Sequence, residues 1–237
     1  MLALHGFAQQ GGHFAEIAPY IGAGLIAPDL PGHGPFPHLP ATMDESVERV
    51  GELIEETGVE VVVGYSMGGR VALRAVLERP VDLLVLVSVS PGITDPQARA
   101  ERARSDEDLA KRIEASGMEL FLDEWDRLPM FAGLAKRSDA WKQRERALRL
   151  ENDPKGVAAA LRGMGQGVTE PLDDAELAQL ASPTVLLAGA ADPPYAAAAV
   201  HLASVLPAGK AVLHPTAGHS LVSEDPGWVA THVRRGL

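Results

Sequence analysis

A β-branched run that ends in a serine between glycines leaves this chain few folds to choose from. Val59-Glu60-Val61-Val62-Val63 leads into Gly64-Tyr65-Ser66-Met67-Gly68, and a helix-length stretch follows to about residue 79. A strand that turns sharply into a helix has no room for side chains crowding the turn, which is why glycines flank the serine. The turn places the Ser66 hydroxyl at the helix N-terminus and leaves the backbone N–H of Met67 free to face a developing oxyanion. The bland alternative, a glycine-rich turn with an incidental serine, does not account for the strand before it and the helix after it.

Similar units recur. Leu2–Leu4, Leu25–Ala27, Val59–Val63, Leu83–Ser88, Thr184–Ala188 and Ala211–Leu213 are short apolar runs rich in Val, Leu and Ile, as expected of parallel strands buried on both faces. Helix-length stretches at about 12–21, 43–57, 67–79, 194–205 and 226–235 separate them, the β-α alternation of a doubly wound α/β sheet. From about 96 to 163 there is no strand pattern. Amphipathic helices are predicted there instead, with breaks near Ser116-Gly117, Leu128-Pro129, Ser138-Asp139 and Asn152-Asp153-Pro154. We therefore divide the chain into a core, residues 1–90 and 171–237, and a helical lid, residues 91–170.

Charge follows the same division. The 91–170 stretch holds 14 of the 21 Lys and Arg against 15 of the 32 Asp and Glu, a net of −1, so the remainder carries −10 of the total −11. A protein this acidic lacks the basic footprint of a nucleic-acid binder. No apolar run is long enough to span a bilayer. The absence of cysteine rules out disulfides, a thiol nucleophile and a thiolate metal site, a count that fits the cytoplasm.

An activated serine needs a base and a group to orient it. The order Ser…Asp…His suits a nucleophile on this kind of turn. Asp192 follows the 184–188 strand in Gly-Ala-Ala-Asp, and His219 follows the 211–213 strand in Pro-Thr-Ala-Gly-His. Both lie on loops at strand carboxyl ends, where open α/β sheets bind ligands. The competing reading of Asp192 is a helix N-cap before Pro193-Pro194. The other histidines fit less well: His5 and His33 belong to glycine-rich loops, His201 and His232 to helices, and His214 to a strand end. Their spacing matches no metal motif, so no metal is expected.

Leu-His-Gly-Phe (4–7), Asp-Leu-Pro-Gly-His-Gly (29–34), Gly-Tyr-Ser-Met-Gly-Gly-Arg (64–70), Pro-Gly-Ile (91–93), Arg-Ala-Glu-Arg-Ala-Arg-Ser-Asp (99–106), Trp-Asp-Arg-Leu-Pro-Met-Phe (125–131), Arg-Ala-Leu-Arg (146–149) and Ala-Gly-His (217–219) occur in that order. Together they resemble the 2-succinyl-6-hydroxy-2,4-cyclohexadiene-1-carboxylate synthases, α/β-hydrolase-fold lyases of menaquinone biosynthesis. The resemblance spans nearly the whole chain. It implies an α/β-hydrolase fold with a helical lid and a reaction that eliminates pyruvate without a cofactor. It also implies a second oxyanion donor at the N–H of Phe7, Arg102 and Arg149 as carboxylate binders, and Tyr65 and Trp125 lining the pocket. Arg70, four residues beyond Ser66 on the same helix face, would then meet a carboxylate of the substrate with its fixed fork of donors. The alternatives are a structural ion pair for Arg70 and solvated helix faces for Arg102 and Arg149. An ester, lactone or C–C bond hydrolase needs the same Ser66, His219 and Asp192, and a non-catalytic binding protein of this fold is the reading from another class. The expected partner is a small-molecule carboxylate.

In that fold two strands usually precede the one that leads into the His-Gly loop, and here the first run starts at Leu2. A sheet trimmed in this way would have six parallel strands, with Leu25–Ala27 as an exposed edge. Such an edge offers unpaired backbone groups, so either a monomer or a homodimer joined across it is expected.

Overall fold

The computed structural model describes residues 1–21, 24–35, 37–38 and 40–236. Among these, β1 (Leu2–Leu4) is followed by a 3-10 helix (Gly11–Glu16), the single turn α1 (Ala18–Ile21), α2 (Met43–Thr57), β2 (Val61–Tyr65), α3 (Met67–Glu78) and β3 (Leu83–Val87). Then come α4 (Pro96–Trp125), a second 3-10 helix (Pro129–Lys136), α5 (Asp139–Leu150), α6 (Pro154–Met164) and the turn α7 (Asp174–Leu177). The chain closes with β4 (Thr184–Gly189), α8 (Pro193–Val205), β5 (Gly209–His214), the turn α9 (Leu221–Glu224) and α10 (Pro226–Gly236).

The strands form one parallel sheet in the order β1-β2-β3-β4-β5. Sequential order with crossovers of one hand keeps the crossover helices on one face. α2, α3 and α8 accordingly pack on Leu2, Leu4, Val62, Leu84, Leu86 and Leu186. The alternate residues Ala3, Val61, Val63, Leu83, Val85 and Val87 face the other way, onto Phe14, Ile17, Leu221, Val229 and Val233. Every β2 and β3 residue is buried, which is why these strands read as unbroken apolar runs.

The expectation of six strands is corrected: among the described residues the sheet has five, and Leu25–Ala27 contributes only the isolated bridge of Ile26 to Leu2. Gly24 has φ 101° just before it. Pro28, which has no N–H, follows at once, so one residue alone keeps register. Nor is that edge bare. Leu25, Ile26 and Ala27 are half-buried, and the Gly11 backbone packs on the Ala27 carbonyl while its N–H donates to Asp29 (2.8 Å). A covered edge removes the argument for a dimer joined there.

The helical segment between β3 and β4 breaks where local signals place the breaks. Gly117 (φ 76°) bends α4, Ser138 caps α5, and Asp153 caps α6 by accepting from Lys155 and Gly156. The segment has an apolar centre of its own around Ala110, Ile113, Phe121, Leu122, Val157 and Leu161. Residues of this segment, among them Arg102, Trp125, Arg149 and Met164, line one cavity together with Ser66 and His219.

Candidate active site

All five parallel strands deliver their following loops to one end of the sheet, so residues far apart in sequence converge there. Ser66 sits on the turn from β2 to α3 with φ 50° and ψ −110°, a conformation that costs a non-glycine residue of the order of 1–3 kcal/mol and recurs at functional sites. Close packing enforces it. A Cβ on Gly68 would strike the carbonyls of Leu4 and His5, and the Gly68 N–H donates to the His5 carbonyl (3.0 Å). Ser66 itself donates its N–H to Val87 on β3 (2.9 Å).

The structure brings the three expected polar residues together. Ser66 Oγ lies 3.0 Å from His219 Nε2, and His219 Nδ1 lies 2.8 Å from Asp192 Oδ2. Both His219 and Asp192 are buried. The Asp192 side chain makes no capping bond to α8; Pro194 removes one of the two usual N–H partners, and the other, that of Tyr195, is not used. Its carboxylate is therefore committed to the imidazole, which fixes the tautomer with Nδ1 protonated and leaves Nε2 to accept from the serine. The main chain of His219 is pinned as well: Ser88 Oγ donates to its carbonyl (2.8 Å), and its N–H donates to the Met130 carbonyl (3.3 Å).

Phe7 and Met67 border the same cavity, and neither N–H has an acceptor among the described residues. The peptide that carries the Phe7 N–H is held from its other end. His5 Nδ1 donates to the Gly6 carbonyl (2.8 Å), the Gln9 N–H donates to it too (3.2 Å), and His5 Nε2 accepts from Leu30 N–H (2.9 Å). In a trans peptide the carbonyl and the N–H point oppositely, so fixing Gly6 O aims Phe7 N–H. Burial lowers the His5 pKa to about 3, and His33 likewise to about 3, so both rings stay neutral.

A cavity of about 420 Å³ opens over Ser66. Arg70 borders it with 8% of its surface exposed. Nη2 donates to the Met164 carbonyl (2.6 Å), Nη1 has no partner, and no carboxylate of the described residues lies within salt-bridge distance. Desolvation lowers its pKa to about 10, leaving it charged at neutral pH. The structural ion pair considered for this residue is not formed.

Arg102 and Arg149 also border the cavity, and each already holds a carboxylate. Arg102 Nε donates to Asp106 (2.8 Å), and Arg149 grips Asp126 with two parallel bonds (2.7 and 3.0 Å). Arg149 is largely buried, so it is not on a solvated face, whereas Arg102 is partly open. Tyr65 bonds Ser220 (3.2 Å), and burial raises its pKa, so its hydroxyl stays protonated. Trp125 packs with Phe7, Phe121 and Phe131 into an aromatic wall.

Sequence reasoning passed over Tyr195, Gln166 and Phe131. Tyr195 lies edge-on to the His219 ring (centroids 4.4 Å apart), its hydroxyl accepts from Gln166 (3.0 Å), and Phe131 stands across the imidazole. The one local cue for Tyr195 was its place on the first turn after Asp192. Among the described residues no cluster of three or more His, Cys, Asp or Glu could hold a metal, and no helix is long and apolar enough to cross a membrane.

Residues 1–232 match the alpha/beta hydrolase family. The chain is 31% identical over 235 residues to the 2-succinyl-6-hydroxy-2,4-cyclohexadiene-1-carboxylate synthase of Salmonella typhimurium, covering 97% of this chain and 90% of that one. MenH from S. aureus superposes with a TM-score of 0.93 at 29% identity, covering 100% and 92% of the two chains. A malate-bound thermophilic esterase from Thermogutta terrifontis gives 0.82 at 26% identity, covering 99% and 87%. The chain belongs to the alpha/beta hydrolase family and, within it, groups with the 2-succinyl-6-hydroxy-2,4-cyclohexadiene-1-carboxylate synthases.

Proposed function

We propose that this protein is the menaquinone-pathway lyase that converts 2-succinyl-5-enolpyruvyl-6-hydroxy-3-cyclohexene-1-carboxylate to 2-succinyl-6-hydroxy-2,4-cyclohexadiene-1-carboxylate and pyruvate. The observation that carries the reading is Arg70: a buried guanidinium, unpaired by any described carboxylate, one helical turn from an activated serine. An enzyme for neutral esters gains nothing from that charge and bears its desolvation cost. A substrate with several carboxylates supplies the missing partner.

The ring double bonds define the electron flow. The C2–H beside the succinyl ketone is removed and its electron pair becomes the C2=C3 bond, the C3=C4 pair shifts to C4=C5, and the C5–O bond breaks. Asp192 orients His219, His219 draws the proton from Ser66, and the Ser66 oxygen takes the C2 proton. The N–H groups of Phe7 and Met67 receive the charge that builds on the ketone oxygen. Enolpyruvate departs, is protonated from His219 and ketonises to pyruvate. Every step uses groups of this chain and the substrate.

In this reading residues 91–170 are the lid over a core made of 1–90 and 171–237. Arg102 and Arg149 take the remaining carboxylates, while Tyr65 and Trp125 shape the pocket. The test is incubation with the cyclohexene substrate while pyruvate release is followed. Wild type releases pyruvate and Ser66→Ala does not. A wild-type protein that hydrolyses simple esters yet releases no pyruvate would assign the site to the hydrolases instead.

A further inference from the structure

The sequence marks Asn152 only as part of a helix break, yet it joins three parts of the site. It is 3% exposed, and its amide is fully engaged. Oδ1 accepts from the Gly34 N–H (2.8 Å), while Nδ2 donates to the carbonyls of Ala8 (3.3 Å) and Arg149 (3.0 Å). The oxygen meets a donor and the nitrogen meets two acceptors, so the amide has one consistent orientation.

Each partner matters for the site. Ala8 directly follows Phe7 and has φ 57°, a left-handed conformation that an alanine keeps only where its surroundings hold it. Its N–H donates to His33 Nε2 (3.2 Å), and His33 Nδ1 donates to the Pro31 carbonyl (3.1 Å). With Asn152 on the carbonyl and His33 on the N–H, Ala8 is gripped at both polar groups. Gly34 belongs to the same loop as His33. Arg149 lies in the last turn of α5 and borders the cavity. Gln10 adds a parallel stitch, donating through Nε2 to the Leu148 carbonyl (2.8 Å). Residues 8–10, just past Phe7, are thus sewn to the carbonyls of the turn that bears Arg149.

We propose that Asn152 is a positioning residue that locks the Phe7 N–H in its oxyanion-binding direction and ties it to the Arg149 turn of α5. This rests on the reading of Phe7 as an oxyanion donor. An amide at position 152 is required because one side chain must both accept from Gly34 and donate to two carbonyls. Aspartate accepts but cannot donate when ionised, and alanine does neither.

The test compares wild type, Asn152→Ala, Asn152→Asp and Ser66→Ala for pyruvate release and thermal unfolding. Asn152→Asp keeps the acceptor for Gly34 but turns an oxygen towards the carbonyls of Ala8 and Arg149. Displacing a transition-state donor by about an ångström costs up to about a hundredfold. Both Asn152 variants are therefore expected to lose about 10- to 100-fold in kcat, with KM within about threefold, the pattern of an interaction made only in the transition state. A merely structural residue would lower Tm and leave the kcat of the folded fraction unchanged. A kcat within about twofold of wild type in either folded variant, or a loss confined to KM, overturns the proposal. If Asn152→Ala does not fold, Asn152→Asp decides. Failure of the underlying reading looks different, because the wild type itself would then release no pyruvate.

Discussion

Arg70→Ala separates a charge placed for a ligand from a charge placed for the fold. In the wild type the guanidinium of this cavity-lining residue has one neutral partner, the Met164 carbonyl, and one buried nitrogen without a partner. A substrate carboxylate that completes it makes a charge-assisted hydrogen bond, a contribution of about 1.5–3 kcal/mol. At 1.36 kcal/mol per decade, pyruvate release should fall about 10- to 150-fold in kcat/KM. Stability should barely change. Losing the Met164 bond, itself made by a charged donor, costs about 1.5–3 kcal/mol, and removing an unpaired buried charge offsets all but about 1 kcal/mol of it. The shift in Tm should therefore stay within about 4 °C. Thermal unfolding with a small dicarboxylate such as succinate gives an independent readout. At a hundred times its Kd it should raise the wild-type Tm by about 5–10 °C and leave Arg70→Ala nearly unmoved. Arg70→Lys should recover only part of the activity, because an ammonium cannot reproduce a planar fork. The reasoning is refuted if Arg70→Ala melts far below wild type while its surviving folded fraction releases pyruvate normally.

Ser66→Ala and His219→Ala should each remove most pyruvate release, Asp192→Asn somewhat less, and a triple variant should be little worse than the worst single one; additive losses in steady-state kinetics would contradict a unit of three. Unfolded histidines take up protons below about pH 6.5, whereas folded His5 and His33 resist until about pH 3. Their contribution is therefore complete above pH 6.5 and lost as the pH falls below it, by up to about 5 kcal/mol between pH 6.5 and 4.5, so a urea midpoint flat over that window would contradict it. Glu145, in the cavity wall beside His13 (3.3 Å), has its pKa raised by burial to about 7 and works in the opposite sense. Its contribution is complete below pH 4.5 and lost as the pH rises through 7, so Glu145→Gln should gain in Tm over wild type between pH 5.5 and 8, and a constant difference would rule this out.

What was legible beforehand follows from how local each signal is. Ser66 is announced by its own neighbours, and Asp192 and His219 by the strands that precede them. The bends at Gly117, Pro129, Ser138 and Asp153 are likewise written in single residues. The 12–21 stretch has the right apolar spacing, but it forms a 3-10 helix and one α turn, with Gly11 and Gly12 opening it. Leu25–Ala27 has strand composition, and its failure came from Gly24 and Pro28 on either side. Other features depend on partners remote in sequence. Asn152 meets Ala8 across 144 positions, and Arg149 meets Asp126 across 23. A helix pattern states which side of α5 is polar. It does not state which carboxylate an arginine on that side will find.

The two prepaired arginines differ in what a substrate must displace. Asp126 is 36% exposed at its side chain and can swing into water, whereas Asp106 is 7% exposed and has nowhere to go. If Arg149 takes a substrate carboxylate as proposed, binding there exchanges one carboxylate for another, close to balanced in free energy and readily reversed. At Arg102 an arriving carboxylate has to share a cation whose first anion stays in place. On the proposed function, net attraction would be concentrated at Arg70, with the rest of the pocket sorting shapes without holding hard. For a reaction that yields two acidic products, such a division favours turnover: Asp126 stands ready to reclaim Arg149 and release the product anion.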